Sequence, residues 1–238
     1  MSGAVPHFPR IYLLFALPEE AAPFLRRMAV SPALRGQCEV RVSGIGAKNA
    51  ARQMTQILAA ERVKRLIVCG FGGGLTEEIT PGSLIVADHV LDATVASSVA
   101  PKVYTPDRQM WELAEGPHGD LVTVGHVLTT PDEKRALHLW TKAHMADMET
   151  VGAVAAAEQA GVPWLAVRAA TDSLEGALPL DFNALTDADG NVDRRRVIAA
   201  TLAKPWKIPA LIRLGRHSAL AAKNLGRFLE DYLQQLPD

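Results

Sequence analysis

Short, continuous apolar runs recur along this chain, and they constrain its fold more than any other feature. Runs of this length are typical of strands that are buried on both faces of a sheet. The predicted strands span residues 11–16, 38–43, 65–70, 83–91, 120–127, 145–148 and 164–170. Alanine-rich or amphipathic stretches lie between them, and the predicted helices span residues 18–28, 47–61, 131–144, 149–159, 194–202 and 208–233.

Strands that alternate with helices predict an α/β fold, here a mixed, mostly parallel central sheet flanked by helices on both faces. Residues 94–119 are mixed and polar and predict a loop with one short helix, while residues 182–195 predict an exposed excursion. No repeat or linker divides the sequence. We therefore predict a single domain over residues 1–238, in which residues 204–236 form a basic, amphipathic helical extension.

The composition argues against several classes of protein. The chain has 25 basic and 26 acidic residues, so its overall charge does not indicate a nucleic-acid partner. Cys38 and Cys69 lie in apolar stretches without CxxC spacing, which favours a reduced cytoplasmic compartment and no structural zinc. Residues 1–10 lack the apolar region of a signal peptide, and no apolar run is as long as a membrane span. We predict a soluble protein without a metal or cofactor.

Carboxylates and glycines follow several of the predicted strands. In open α/β sheets ligands bind at the carboxyl ends of the strands, so these residues are expected to share one rim. The carboxylates are Glu20, Asp147, Glu149 and Asp172, and the glycine-rich segments are 44–46 and 70–74. Carboxylates therefore follow three separate strands and are expected at one rim. This arrangement suggests a reaction that uses an acid, a base and a group that orients a sugar.

Each of these residues also has an ordinary structural explanation. Glu20 and Glu149 suit the first turn of a helix, where a negative charge favours the helix dipole. Asp172 suits a helix N-cap, Asp147 a solvated turn, and glycines 72–74 a tight turn. Taken singly these explanations are the better ones, and only the joint occurrence at successive strand ends weakens them.

Several segments together resemble the nucleoside phosphorylase and nucleosidase superfamily. They are 70–75 (GFGGGL), 80–88 (TPGSLIVAD), 147–149 (DME) and 168–172 (RAATD). Segments 16–20 (ALPEE) and 43–46 (SGIG) are similar to methylthioadenosine/adenosylhomocysteine nucleosidases. Segment 204–214 (KPWKIPALIRL) resembles the hopanoid-associated phosphorylase branch, which implies removal of adenine from adenosylhopane during hopanoid biosynthesis.

The resemblance implies roles for the residues at the strand ends. Asp172 matches the general acid that protonates the purine, and Thr171 and Ser173 could orient it. Glu149 matches the residue that binds the ribose hydroxyls and stabilises the oxocarbenium-like sugar. Glu20 matches the base that activates water. The implied substrate-binding residues are Met148, Gly72, Gly73, Phe71, Leu128 and Ser173.

The sequence departs from this pattern at positions that bear on the nucleophile and the base. Val68 and Phe71 stand where phosphorylases place a phosphate arginine and a hydroxyl, and an apolar pair cannot bind a phosphate dianion. Water is therefore the favoured nucleophile, although Arg41 or Arg168 could contact phosphate. Leu128 stands where nucleosidases place an aromatic ring, so it offers the base an apolar wall, to which His126 could add.

The leading hypothesis is a nucleosidase that acts on a 5′-substituted adenosine, with adenosylhopane as the best single candidate. A methylthioadenosine/adenosylhomocysteine nucleosidase, a phosphate-dependent phosphorylase and a nucleoside-binding module without catalysis remain alternatives. Residues 204–227 carry basic but no acidic side chains, interleaved with apolar ones. This pattern fits an ordinary surface helix or a helix that contacts anionic lipid. The resemblance also implies a homo-oligomer.

Overall fold

The computed structural model describes residues 11–95, 100–179 and 205–237. Its strands are β1 (Ile11–Phe15), β2 (Cys38–Val42), β3 (Arg65–Gly74), β4 (Leu84–Ala93), β5 (Lys102–Tyr104), β6 (His118–Val124), β7 (Met145–Asp147) and β8 (Trp164–Asp172). Its α-helices are α1 (Pro18–Val30), α2 (Pro32–Gln37), α3 (Ala47–Ala60), α4 (Arg108–Glu112), α5 (Pro131–Thr141), α6 (Thr150–Gln159) and α7 (Ile208–Gln235). A 3₁₀ turn at Pro205–Lys207 leads into α7.

The strands form one mixed sheet, which confirms the predicted fold class. Strand β1 lies between β2 and β3 and is parallel to both. Strand β3 is also parallel to β8 and antiparallel to the short β7. Strand β4 is antiparallel to β8 and β5 and parallel to β6, which in turn is parallel to β7. The pairings β3-β8-β4-β6-β7-β3 therefore close into a ring.

Strand β1 shows why the apolar runs are continuous. Side chains alternate across a strand, so its residues enter two different cores. Tyr12 and Leu14 pack in a cluster with residues of α3 and α6, whereas Leu13 and Phe15 pack with residues of α1 and α7. All five residues of β1 are buried as a result.

The structure corrects several predicted elements. The glycines at 72–74 do not form a tight turn, because they continue β3 and pair with β7 and β8. The predicted loop at 94–119 contains β5 as well as the short helix α4, and α2 was not predicted at all. The excursion at 182–195, the helix at 194–202 and residues 1–10 lie outside the described residues.

Helix α7 packs against α1 and against β8 with one face. Its buried residues are Ala221, Ala222, Leu225, Gly226, Leu229, Tyr232 and Leu233, all of them from the middle of the helix onward. Within the described ranges, no helix combines the length and the apolar character that a membrane crossing requires.

Candidate active site

A cavity of about 290 Å³ lies at the carboxyl ends of β1, β3, β6, β7 and β8. All predicted site residues except Ser173 line it: Glu20, Phe71, Gly72, Gly73, Leu128, Met148, Glu149 and Asp172. The strand ends that were expected to share one rim therefore do so. The contacts of each side chain decide what this rim can do chemically.

Glu20 is held inside the fold although it lies in the first turn of α1. Its carboxylate turns back, and one oxygen accepts hydrogen bonds of 2.9 Å from the backbone N–H groups of Ala16 and Leu17. The other oxygen accepts a 2.8 Å hydrogen bond from the backbone N–H of Phe71. Burial raises the pKa of Glu20, against the opposing effect of the nearby Arg168 charge and these N–H donors. A surface role at the helix terminus does not account for such an environment, and a fixed carboxylate of this kind can orient water.

Arg168 is fully buried in β8 and pairs with two carboxylates, one at the end of β7 and one shortly after it. Its Nη2 atom lies 2.5 Å from Oδ2 of Asp147, and its Nη1 atom lies 3.6 Å from Oε2 of Glu149. Thr150 accepts from the same guanidinium, at 2.8 Å from Nη2. Asp147 is thus not a solvated turn residue, since it is 5% exposed and its other oxygen accepts a 2.6 Å hydrogen bond from Thr123.

Gly70 makes room for this arrangement. A Cβ atom at this position would lie 2.4 Å from Nη1 of Arg168 and 2.9 Å from Oε2 of Glu20. No side chain can occupy that space, so glycine allows an arginine and a glutamate to approach the backbone of β3 from the same side. The glycine-rich sequence therefore reflects close packing around charged groups.

Glu149 points from the start of α6 toward the turn before α3. Its Oε1 atom accepts a 2.9 Å hydrogen bond from the backbone N–H of Gly46, and its side chain is 9% exposed. Burial is the main reason that the pKa of Glu149 is raised to about 7, while Asp147 and Glu20 raise it further and Arg168 lowers it. A carboxylate in this position can bind hydroxyl groups and stabilise positive charge.

The raised pKa of Glu149 predicts how stability depends on pH. Between the ordinary value of 4.5 and about 7, the unfolded chain loses the proton that the folded chain keeps, so this residue makes folding less favourable as the pH rises. We expect Glu149→Gln to gain stability relative to the wild type between about pH 5 and about pH 8. Urea unfolding at both pH values measures this gain. Glu158→Gln, on the exposed side of the same helix, is the control, and an equal gain there would contradict the explanation.

Asp172 ends β8 and forms a buried ion pair that was not predicted. Its Oδ2 atom contacts Nζ of Lys134, and its Oδ1 atom lies 2.9 Å from the hydroxyl of Thr171. Nζ of Lys134 also donates to the carbonyls of Ser173, at 2.6 Å, and of Gly176, at 3.0 Å. Ser173 thus contributes its main chain to holding Lys134, while its predicted role in substrate binding stays a prediction.

Lys134 is placed by the start of α5. Thr130 and Glu133 form a capping box there, in which the Glu133 carboxylate accepts from the Thr130 N–H at 3.0 Å. Lys134, Leu137 and Thr141 then share one helical face, which points inward. A lysine on the apolar face of an amphipathic helix is the sequence signal that could have identified it.

Apolar side chains form most of the remaining wall. Leu128 and Met148 line the cavity as predicted, and His126 also reaches it. Further apolar lining residues come from the end of β6, from loops and from α7, among them Val124, Ile45, Val127, Leu178 and Leu214. The lining therefore combines carboxylates with apolar side chains, a composition that suits a ligand with polar and apolar parts.

A free cation for phosphate is absent from the described lining. Lys134 is the charged amine there and is already paired with Asp172, and no arginine reaches the cavity. Arg168 is occupied by Asp147 and Glu149, and Arg41 pairs with Glu61 on another part of the sheet. The described residues also include no group of three histidine, cysteine or acidic side chains placed to hold a metal ion.

Comparisons with known proteins agree with this architecture. The profile of the phosphorylase superfamily matches residues 10–203. A search of curated proteins finds no match. The 5′-methylthioadenosine/S-adenosylhomocysteine nucleosidase of Helicobacter pylori has a similar structure, with a TM-score of 0.73 and 15% identity over 96% of this chain and 99% of that one.

Two further solved structures are similar. Futalosine hydrolase of Helicobacter pylori strain 26695 has a TM-score of 0.73 and 15% identity over 96% of this chain and 99% of that one. The corresponding nucleosidase of S. pneumoniae, solved with a transition-state inhibitor, has a TM-score of 0.71 and 18% identity over 95% of this chain and 99% of that one. At these identities the structural comparisons establish a shared fold.

Proposed function

The chain belongs to the phosphorylase superfamily of enzymes, and from this premise we propose that it is a nucleosidase that cleaves the N-glycosidic bond of a 5′-substituted adenosine. The observation that carries this proposal is the convergence of Glu20, Glu149 and Asp172 on one cavity whose described lining has no free cation for phosphate. The names of the similar structures, which are nucleosidases and a hydrolase, support the same reaction class.

In this mechanism Asp172 is the general acid. Asp172 transfers a proton to the five-membered ring of the purine as the glycosidic bond breaks, so that the base leaves as a neutral molecule. Lys134, which contacts Oδ2 of Asp172, stabilises the carboxylate that remains after the proton has left. Thr171 fixes the other carboxylate oxygen.

The two glutamates act on the sugar. Glu149 binds the ribose hydroxyls, and its negative charge stabilises the positive charge that develops on the ribose as the glycosidic bond breaks. Glu20, held by three backbone N–H groups, orients water and takes its proton as the water attacks the anomeric carbon. Met148 packs against the sugar, and Leu128 forms an apolar wall for the base.

We propose adenosylhopane as the substrate, with ribosylhopane and adenine as products. The apolar residues Leu178 and Leu214 among the lining support a large apolar 5′ substituent. A methylthioadenosine/adenosylhomocysteine nucleosidase is the alternative, because a short thioether would also fit an apolar wall. A nucleoside-binding module is less well supported, since binding alone requires neither the buried Glu20 nor the Asp172–Lys134 pair.

Water as the nucleophile predicts that phosphate has no effect on turnover. We expect equal rates of adenine release in phosphate-free buffer and in phosphate, with the free sugar as the second product, because the described lining has no unpaired cation to bind phosphate. Mass spectrometry of the product formed in H₂¹⁸O measures the incorporated oxygen. Formation of a ribose 1-phosphate would identify a phosphorylase and would overturn this part of the proposal.

We further propose that the enzyme acts in the cytoplasm as a homo-oligomer and touches a membrane from that side. The buried free thiols of Cys38 and Cys69 support a reduced compartment. Exposed apolar side chains such as Val30 and Leu139 leave room for contacts between copies. Light scattering of the purified protein measures the oligomeric state, and a monomer at all concentrations would remove the oligomer.

A further inference from the structure

The two halves of α7 face different surroundings. The second half buries Leu225, Leu229 and Leu233 against the body of the protein. The first half, together with the 3₁₀ turn before it, exposes Trp206 (72%) and Ile212 (52%). Neighbouring large apolar side chains on a surface commonly mark an interaction site. The first half of α7 is thus an unpartnered face within the described structure.

Basic side chains alternate with these apolar ones along α7 and the turn before it. Ile208, Ile212 and Arg216 are spaced four residues apart and lie along one stripe of the helix. The charged residues between positions 205 and 229 are Lys207, Arg213, Arg216, Lys223 and Arg227, and none is acidic. Apolar side chains that are accompanied only by basic charges along their own helix are the pattern of helices that lie in the interface of anionic membranes.

The same helical turns also border the candidate active site. Leu214 and Ser218 line the cavity, whereas Ile212 and Arg216 point to solvent from the alternate side of the helix. A partner that covers the exposed stripe would therefore lie one helix diameter, about 10 Å, from the cavity.

We propose that the stripe of Trp206, Ile208, Ile212, Arg213 and Arg216 binds the surface of an anionic lipid bilayer. The apolar side chains insert at the headgroup level, and the arginines contact lipid phosphates. The proposal goes beyond the nucleosidase activity and does not require it, because these residues are outside the lining of the cavity.

The charge of the stripe favours lipid over other partners. A second copy of the chain would bring the same basic side chains together across a symmetric interface, and like charges there oppose association. Nucleic acid would contact the arginines, but it offers no apolar environment for Trp206 and the isoleucines. A bilayer surface with anionic headgroups provides phosphates for the arginines and an apolar environment for Trp206 and the isoleucines.

The test uses the full chain and vesicles of phosphatidylcholine, with and without phosphatidylglycerol. We expect cosedimentation with the anionic vesicles, at least tenfold stronger than with neutral ones and weakened by salt. The paired substitutions Arg213→Glu/Arg216→Glu and Ile208→Ser/Ile212→Ser should each lower the partition coefficient at least about tenfold. Absence of binding to anionic vesicles by the wild type would overturn the proposal.

Matched controls separate this surface from general charge and hydrophobicity. Arg62→Glu/Lys64→Glu makes the same change of charge at other exposed positions, and Val30→Ser/Leu139→Ser removes exposed apolar side chains elsewhere. Both control proteins should bind anionic vesicles as the wild type does. Equal losses in the control and test variants would contradict a specific docking surface.

Adenine release from adenosylhopane and from methylthioadenosine is measured on every variant. Stripe variants that lose vesicle binding but release adenine at an unchanged rate support a docking surface that is separate from the site. A wild-type protein that binds vesicles but releases no adenine supports docking and counts only against the proposed function. Loss of self-association in the stripe variants, together with no vesicle binding by the wild type, would assign the surface to a second copy. RNA binding that is lost in Arg213→Glu/Arg216→Glu but unaffected by Ile208→Ser/Ile212→Ser would also overturn the proposal.

Discussion

Asp172→Asn is expected to lower kcat by about 10²–10⁴-fold, the usual contribution of a general acid. Asparagine keeps the shape of the side chain and the contact with Thr171, but its amide has no acidic proton to transfer to the departing purine. Lys134 would lose its carboxylate partner and keep the carbonyls of Ser173 and Gly176. Steady-state kinetics of adenine release, with circular dichroism to verify the fold, measures the effect.

The matched control is Asp132→Asn, because the Asp132 side chain is 94% exposed and pairs with Arg135 at the surface. Its kcat should equal that of the wild type. Near-wild-type activity of Asp172→Asn would remove the residue from the mechanism, and the acid would then have to be sought elsewhere in the cavity.

Arg168→Met is expected to lower the free energy of unfolding by about 3–5 kcal/mol, the typical loss when one partner of a buried ion pair is removed. Methionine fills most of the volume but leaves Asp147, Glu149 and Glu20 without the cation that opposes their burial. Urea denaturation of both proteins at the same pH measures the difference.

Arg135→Met provides the comparison, because this arginine also pairs with two carboxylates but at the exposed surface of α5. Surface ion pairs contribute about 0–1 kcal/mol, so this variant should remain close to the wild type. Adding Asp147→Asn to Arg168→Met should restore part of the stability, since it removes one of the uncompensated charges. A loss below about 1 kcal/mol for Arg168→Met would mean that the buried network is not the structural centre of the site.

The sequence was sufficient to predict most of the fold, because burial on both faces leaves a direct trace in continuous apolar runs such as β1 and β8. Glu20, Glu149 and Asp172 were predicted as site residues for a related reason. Each follows such a run, and strand ends in an α/β sheet meet at one rim. Which strand ends lie at that rim depends on the strand topology, and the alternation of strands with helices along the sequence indicates much of that topology.

Contacts between distant segments could not be predicted in the same way. Lys134 meets Asp172 only because the fold brings the start of α5 close to the end of β8, and the two residues are far apart in the chain. The extension of β3 through its glycines depends on pairing with β7 and β8, whereas glycine taken locally indicates a turn. The role of Arg168 as the buried partner of carboxylates could likewise be seen only in the structure, because Glu20 comes from a different segment than Asp147 and Glu149.

The most direct test of the proposed function is the release of adenine by the purified wild-type protein from adenosylhopane and from methylthioadenosine, each with and without phosphate. We expect release from adenosylhopane at a rate that phosphate does not change, because Glu20 activates water in a cavity whose described lining has no unpaired cation for phosphate. Release from methylthioadenosine alone would reassign the substrate. Failure to release adenine from either nucleoside under any of these conditions would contradict the proposal that this site is a nucleosidase.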